Sequence, residues 1–132
     1  EHVGTQSEWS PRWYGTIDQW KDLQARGHLI GGHGSAHEPL GRLTPDEAVE
    51  DIQGSMRFLR ETFGESPRPF SYPFGSHSDA IADACRAVGF VCAFTTIPGW
   101  NRPDTPRYHL HRVDTSELDR FLDKDPKSEC RA

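Results

Sequence analysis

Residues 44–64, TPDEAVEDIQGSMRFLRETFG, constrain the fold more than any other stretch. Thr44 stands as an N-cap, Pro45 occupies the first helical position, and Glu47 closes a capping box three residues on. Ala48, Ile52, Met56, Leu59 and Phe63 recur at intervals of four and three, and Gly64 ends the run. The result is a long helix with one apolar stripe, which leaves Glu50, Arg57 and Arg60 toward solvent. A helix of this kind cannot stand alone: its stripe needs a second layer to cover it.

The neighbouring segments predict that layer. Upstream, "TIDQWKDLQARG" places Thr16 and Gln19 at capping-box spacing, Ile17, Trp20 and Leu23 on one helical face, and Gly27 as the stop. "HLIGG" then reads as a short buried strand. Downstream, "PFSY" reads as a strand followed by the turn "PFGSH". Ser78 or Asp79 caps a third helix through Ala80, Ile81, Ala84, Cys85 and Val88, which Gly89 stops. "FVCAFTT" is β-rich, residues 97–108 are a Pro/Gly loop, "LHRV" is a last short strand and "SELDRFLDK" a final helix. Helix and strand alternate throughout, the pattern of βαβ units around a parallel sheet. In such folds the active groups gather where strands end. His33, His37, residues 73–77, residues 95–100 and His111 all follow or end predicted strands, so they are expected on one rim.

The chain's 132 residues suit a single domain over residues 1–132, with an irregular, Trp-, Ser-, Gly- and Pro-containing segment at 1–15. A net charge of −5 with scattered basic residues argues against nucleic acid as a partner. No apolar run approaches the length of a membrane span. Cys85, Cys92 and Cys130 are odd in number and form no CxxC pair, which fits small buried hydrophobes and a tail thiol. With no signal peptide in view, a reducing, cytoplasmic compartment is the expectation. The first residue is Glu1 rather than Met, so the chain is expected to begin partway into a longer one.

"GGHGSAHEPLGRL" sets His33 and His37 four apart behind paired glycines. Gly34 follows the first histidine where a zincin needs Glu, so that pattern fails. Gly31, Gly32 and Gly34 favour a loop, and a loop can still converge two imidazoles on one metal. The other reading is a pair of solvated or helix-capping loop residues. Two histidines are in any case fewer than the three protein ligands a catalytic zinc usually takes.

"HLIGGHGSAHEPLGRLTPDEAVEDI" followed by "PRPFSYPFGSHSDAIADACRAVGFVCAFTT" resembles the NodB-homology polysaccharide deacetylases, carbohydrate esterase family four, over about residues 13–122 in element order. The resemblance implies an α/β fold of the incomplete (β/α) barrel type. The family's second motif is His-Ser/Thr-x-x-His, and its histidines bind the metal. His33 and His37 match them, and Gly34 departs from the Ser/Thr position. Its third motif is Arg-x-Pro-Tyr/Phe-Gly. Pro73, Phe74 and Gly75 match, while Ser71 stands where the Arg would be. Its fifth is a Leu-His pair whose His acts as general acid, matched by Leu110 and His111, with His109 as runner-up. Arg112 is the candidate to replace the cation missing at Ser71, and Trp100 to form an aromatic wall, although a lone loop Trp also serves packing. His77 is a further candidate at the cleft.

The resemblance therefore implies metal-dependent hydrolysis of the amide of an N-acetylated sugar or polysaccharide. Zn²⁺, or Co²⁺, Ni²⁺ or Mn²⁺, would sit on His33 and His37. His111, Phe74 and Arg112 would carry the chemistry, with Tyr72, Pro73, Gly75, Trp100 and Leu110 lining the substrate. The family's first motif, Thr-Phe-Asp-Asp, supplies the base and the third ligand, and no Asp-Asp occurs in this sequence. The opening strand is expected to be missing and this chain alone nearly inactive. A second reading from another class is a non-catalytic module that binds glycan through Trp9, Trp13 and Trp100, and a third is an inactive fragment. A sheet lacking its first strand exposes an edge, which invites pairing with a second copy or a covering by residues 1–15.

Overall fold

The computed structural model describes residues 15–65 and 67–119; Trp9, Trp13, Cys130 and most of the last expected helix lie outside them. Helix α1 (Ile17–Ala25) starts at Thr16, whose hydroxyl accepts from the Gln19 N–H while the Gln19 side chain accepts from the Thr16 N–H. Helix α2 (Pro45–Phe63) repeats the device with Thr44 and Glu47. Hydrogen bonds from Thr44 to the Glu47 carboxylate hold its pKa below the ordinary value. Of the two candidate caps for helix α3 (Asp79–Val88), Ser78 takes the role: its hydroxyl accepts from the Ile81 N–H. Gly89 closes α3 at φ 104°, a left-handed conformation that glycine enters without strain.

Strands β1 (Pro69–Ser71) and β2 (Cys92–Phe94) pair in parallel, with Phe70 opposite Ala93. Single parallel bridges extend them on both sides, Gly32 to Phe70 and Phe94 to Leu110. The rows therefore run in the order Gly32, β1, β2, Leu110. The strands expected over 28–32 and 110–113 shrink to these bridges, for local reasons. His28 turns back to donate to Leu23 O, and Leu29 is left exposed. After Leu110, the His111 N–H goes to the Asn101 side chain and the Arg112 N–H to Ile97 O, so neither continues a ladder. The final helix opens as a short 3₁₀ turn, Thr115–Glu117. The α/β alternation and parallel direction are as read from sequence; the described elements do not close a barrel.

Helices α2 and α3 pack on each other, and α3 packs on β2. The α2 stripe supplies Ile52, Met56 and Leu59 to a core shared with Phe70, Tyr72 and Phe90. Phe63, at the helix end, is half-buried, and Glu50, Arg57 and Arg60 are exposed, as the periodicity predicts. Helix α1 differs: its face of Ile17, Trp20 and Leu23 is exposed and none of its residues is buried. With Leu29, Phe58 and Phe63, Ile17 and Trp20 border an open groove of about 680 Å³ that runs beside residues 29–35, along the first row of the sheet. Leu59 lies at the floor of that groove, 4% exposed. Leu59→Ala is expected to cost about 2–3 kcal/mol in urea denaturation, the low end of the usual range for such truncations, because the open groove lets water reach the gap. A loss under ~0.5 kcal/mol would mean that the stripe is not a packed face.

Candidate active site

Four rows of a parallel sheet deliver their ends to one side, and the segments that follow Gly32, Ser71, Phe94 and Leu110 start there. The loop after Gly32 carries His33 and His37. Their ring centroids are 5.0 Å apart. His33 Nδ1 lies 2.6 Å from Ser71 O. A carbonyl only accepts, so Nδ1 carries the proton, and a neutral ring then keeps its lone pair on Nε2. A ligating histidine is oriented in this way by an outer acceptor. The His37 ring in turn sits 4.9 Å from that of Phe74.

His37 at φ 57° and Phe74 at φ 55° are the non-glycine residues in left-handed backbone among those described. Such conformations cost energy and persist where surrounding structure over-determines them, commonly at functional sites. Here the two strained residues touch. Phe74 sits in the turn Pro73–Gly75, held by Gly75 N–H to Tyr72 O and Ser76 N–H to Pro73 O. Gly75 is needed there: at φ 68°, a Cβ would run into the Thr96 hydroxyl.

Arg112 reaches the same place from the far side of the sheet. Its Nη1 donates to Ser71 Oγ at 3.0 Å, so a guanidinium lies beside the position that lacks an arginine of its own. His111 follows Leu110 and packs on Gly99, where a Cβ would come within 2.9 Å of its Cγ. Two bonds with Asn101 hold the His111 backbone, and its Nδ1 is buried without a partner. Trp100, 37% exposed, stands in the loop beside it.

Two expectations are corrected. Tyr72 and Pro73 do not line a cleft, because both are fully buried. The Tyr72 hydroxyl donates to Tyr108 O at 2.8 Å, and its ring is stacked by His77 and meets Phe70 edge-on. Burial above all, with Cys85 next, holds its phenol far above the ordinary value, and burial pushes the Cys85 thiol up to about 12. Neither group ionises near neutral pH. His77 turns into this cluster instead of the histidine pair, donating from Nδ1 to Gly75 O and meeting the ring of His109. His109 faces Asp79 at 3.5 Å, apart from the position that His111 takes on Gly99.

Sequence reasoning missed Asp51, whose carboxylate accepts from the amides of Ser35 and Ala36 in the histidine loop. The signal was present: Asp51 falls next to Ile52 on the buried side of α2, where a carboxylate needs donors. As a metal site, the pair fits in part. Two imidazoles are close, and one is oriented by a carbonyl. Among the described residues, however, no three His, Cys, Asp or Glu side chains are arranged to hold a metal ion.

Residues 5–93 match the family model described as polysaccharide deacetylase. The chain is 30% identical over 101 residues to the Bacillus subtilis protein YxkH, covering 76% of this chain and 36% of that protein. It is 30% identical over 74 residues to chitin deacetylase 1 of Saccharomyces cerevisiae, covering 56% of this chain and 25% of that one. The Streptococcus pyogenes deacetylase PplD, solved in complex with acetate, superposes with a TM-score of 0.72 at 18% identity over 80% of this chain and 48% of its own. BC0361, a polysaccharide deacetylase from Bacillus cereus, superposes with a TM-score of 0.65 at 22% identity, over 82% and 35%. These superpositions show a shared fold. The chain thus spans about a third of the length of YxkH and about half that of PplD.

Proposed function

We propose that this chain, which belongs to the polysaccharide deacetylase family, contributes part of a site that removes acetyl groups from an N-acetylated carbohydrate by metal-assisted amide hydrolysis. The observation that carries the reading is the 5.0 Å histidine pair, with His33 Nδ1 tied to Ser71 O and His37 against the strained Phe74 turn. His33 and His37 would hold a divalent cation, Zn²⁺ first among Co²⁺, Ni²⁺ and Mn²⁺. When bound, such a cation polarises the carbonyl and lowers the pKa of water to about 7.

The chain's own residues take the remaining roles. The backbone N–H of Phe74, in a turn set by Pro73 and Gly75, donates to the oxyanion as the amide carbonyl becomes tetrahedral. His111 gives a proton to the leaving amine through Nε2, since its Nδ1 is buried. Arg112, on the Ser71 hydroxyl, places positive charge beside the rim where the family's arginine would stand. Leu110 and Trp100 border the acetyl group and the sugar. No Asp-Asp occurs in these 132 residues. Without that base the chain alone should hydrolyse its substrate about 10²–10⁴-fold more slowly than a site that has one.

Metal uptake tests this reading. Chelator-treated chain, dialysed against Zn²⁺ and analysed for bound metal, is expected to hold about one Zn²⁺ by this two-ligand site. The double variant His33→Ala, His37→Ala should hold none. Equal Zn²⁺ content in the two proteins would sink the proposal.

A further inference from the structure

Two of the three residues between the histidines, Ser35 and Ala36, are held on α2 by bonds to Asp51, which lies outside the histidine motif. Asp51, 8% exposed, accepts at Oδ2 from the Ser35 N–H at 3.0 Å and from the Ala36 N–H at 2.7 Å. Ser35 returns the contact by donating from its hydroxyl to Asp51 O at 2.9 Å. Gly54 makes the approach close enough: a Cβ there would fall 2.6 Å from Ser35 Oγ. Asp51 Oδ1 is buried without a hydrogen-bond partner, 2.6 Å from where a Cβ on Gly34 would stand. Gly34 is itself at φ 77°. The residue that departs from the family's Ser/Thr is thus the one whose side-chain space the carboxylate occupies.

We infer that Asp51 is the positioning residue of the histidine pair: its carboxylate pins the loop amides between His33 and His37 and so sets the separation and tilt of the two rings. A five-residue loop with a glycine at its second position and a left-handed residue at its fifth has few internal restraints. Two amides converging on one carboxylate oxygen make it a rigid turn, because charge-assisted bonds are the stronger kind. The anchor comes from the middle of α2, among the well-packed residues Ile52 and Ser55. Asp51 bonds to the amides of Ser35 and Ala36 and to neither imidazole; it acts through the backbone that carries them.

The functional consequence rests on the proposed metal reading, and the test separates the two. Wild type, Asp51→Ala and Asp51→Asn are compared as whole chains by two measurements: amide hydrogen exchange without metal, and calorimetric titration with Zn²⁺ alone. Asp51→Ala should speed exchange at Ser35 and Ala36 at least ~10-fold while the amides of the α2 core change much less, and should weaken Zn²⁺ binding by ~10–100-fold, the usual effect of losing an orienting partner. Asp51→Asn keeps an acceptor oxygen and should recover most of both. A merely structural role would speed exchange across α2 in proportion and leave the affinity of the folded chain unchanged, and that result overturns the inference. Unchanged exchange at Ser35 and Ala36 overturns it as well. If wild type binds no Zn²⁺, the metal reading falls and the exchange measurement alone decides the role of Asp51. Should Asp51→Ala not fold, Asp51→Ser, too short to span both amides, is read in the same way.

Discussion

Arg68→Met is expected to destabilise this chain strongly, although the change removes a charge from the interior. Arg68 is 1% exposed. Its guanidinium donates to Ile30 O at 2.7 Å, to Phe63 O at 3.1 Å and to Gly64 O at 3.1 Å. No carboxylate is among these partners. The counter-charge comes from the C-terminal end of α2, whose last carbonyls point at the cation and carry the negative end of the helix dipole. The Phe63 ring lies 5.7 Å below the guanidinium and adds a cation–π contact. Methionine fills a similar volume and leaves the Ile30 and Gly64 carbonyls without donors, at about 1–3 kcal/mol each, while Phe63 O keeps the Gln24 side-chain amide at 2.9 Å. The expected loss is therefore about 2–6 kcal/mol, against a total stability of ~5–15 kcal/mol for an ordinary domain. Arg68→Lys should recover part, since a single ammonium cannot span three carbonyls on a planar fork. Urea denaturation of the three proteins measures this. A loss under ~1 kcal/mol for Arg68→Met would mean that water replaces the guanidinium, and that the helix end is not buried as described.

How much of this was legible in the sequence differs by kind of information. Caps and stripes are local, and Thr16, Thr44, Ser78, Gly64 and Gly89 do what their spacing predicts. The burial of α2 follows from the same periodicity. Strand length is not local. "FVCAFTT" is β-rich over seven residues, yet three of them pair as a strand, because the ladder stops where the neighbouring row turns away. The face of α1 reads as apolar and is exposed, since nothing among the described residues lies over it. At the site, the residue types and order place His33, His37 and the Phe74 turn together. The burial of Tyr72 could not be read, because an aromatic beside Pro-Phe-Gly suits a cleft and a core equally. Arg68 and Asp51 escaped for a shared reason. A charge inside is identified by the backbone groups that surround it, and some of those belong to segments well away in sequence: Ile30 for one, Ser35 and Ala36 for the other.

The paired glycines before His33 lead to the second large effect: Gly32→Val should cost about 4 kcal/mol or more and loosen the seat of the histidine pair with it. Gly32 is buried in the first row of the sheet, donating to Pro69 O and accepting from the Ser71 N–H, both at 2.9 Å. A Cβ there would fall 2.7 Å from the Phe90 ring and 2.9 Å from Phe70. Those rings lie 4.8 Å apart in the core and have no open side to move into. Valine adds three carbons at this point, more than the single methylene whose insertion costs ~1–3 kcal/mol. To admit them the first row must move off β1, and that breaks the contact between His33 Nδ1 and Ser71 O one residue on. Phe90 supplies the control. Phe90→Ala alone opens a cavity and should cost about 3–5 kcal/mol. Combined with Gly32→Val, the valine occupies part of that cavity, so the two losses should fall short of their sum by ~1 kcal/mol or more. Strictly additive losses in urea denaturation would show that the valine never meets Phe90, and that Gly32 is required for some reason other than the ring above it.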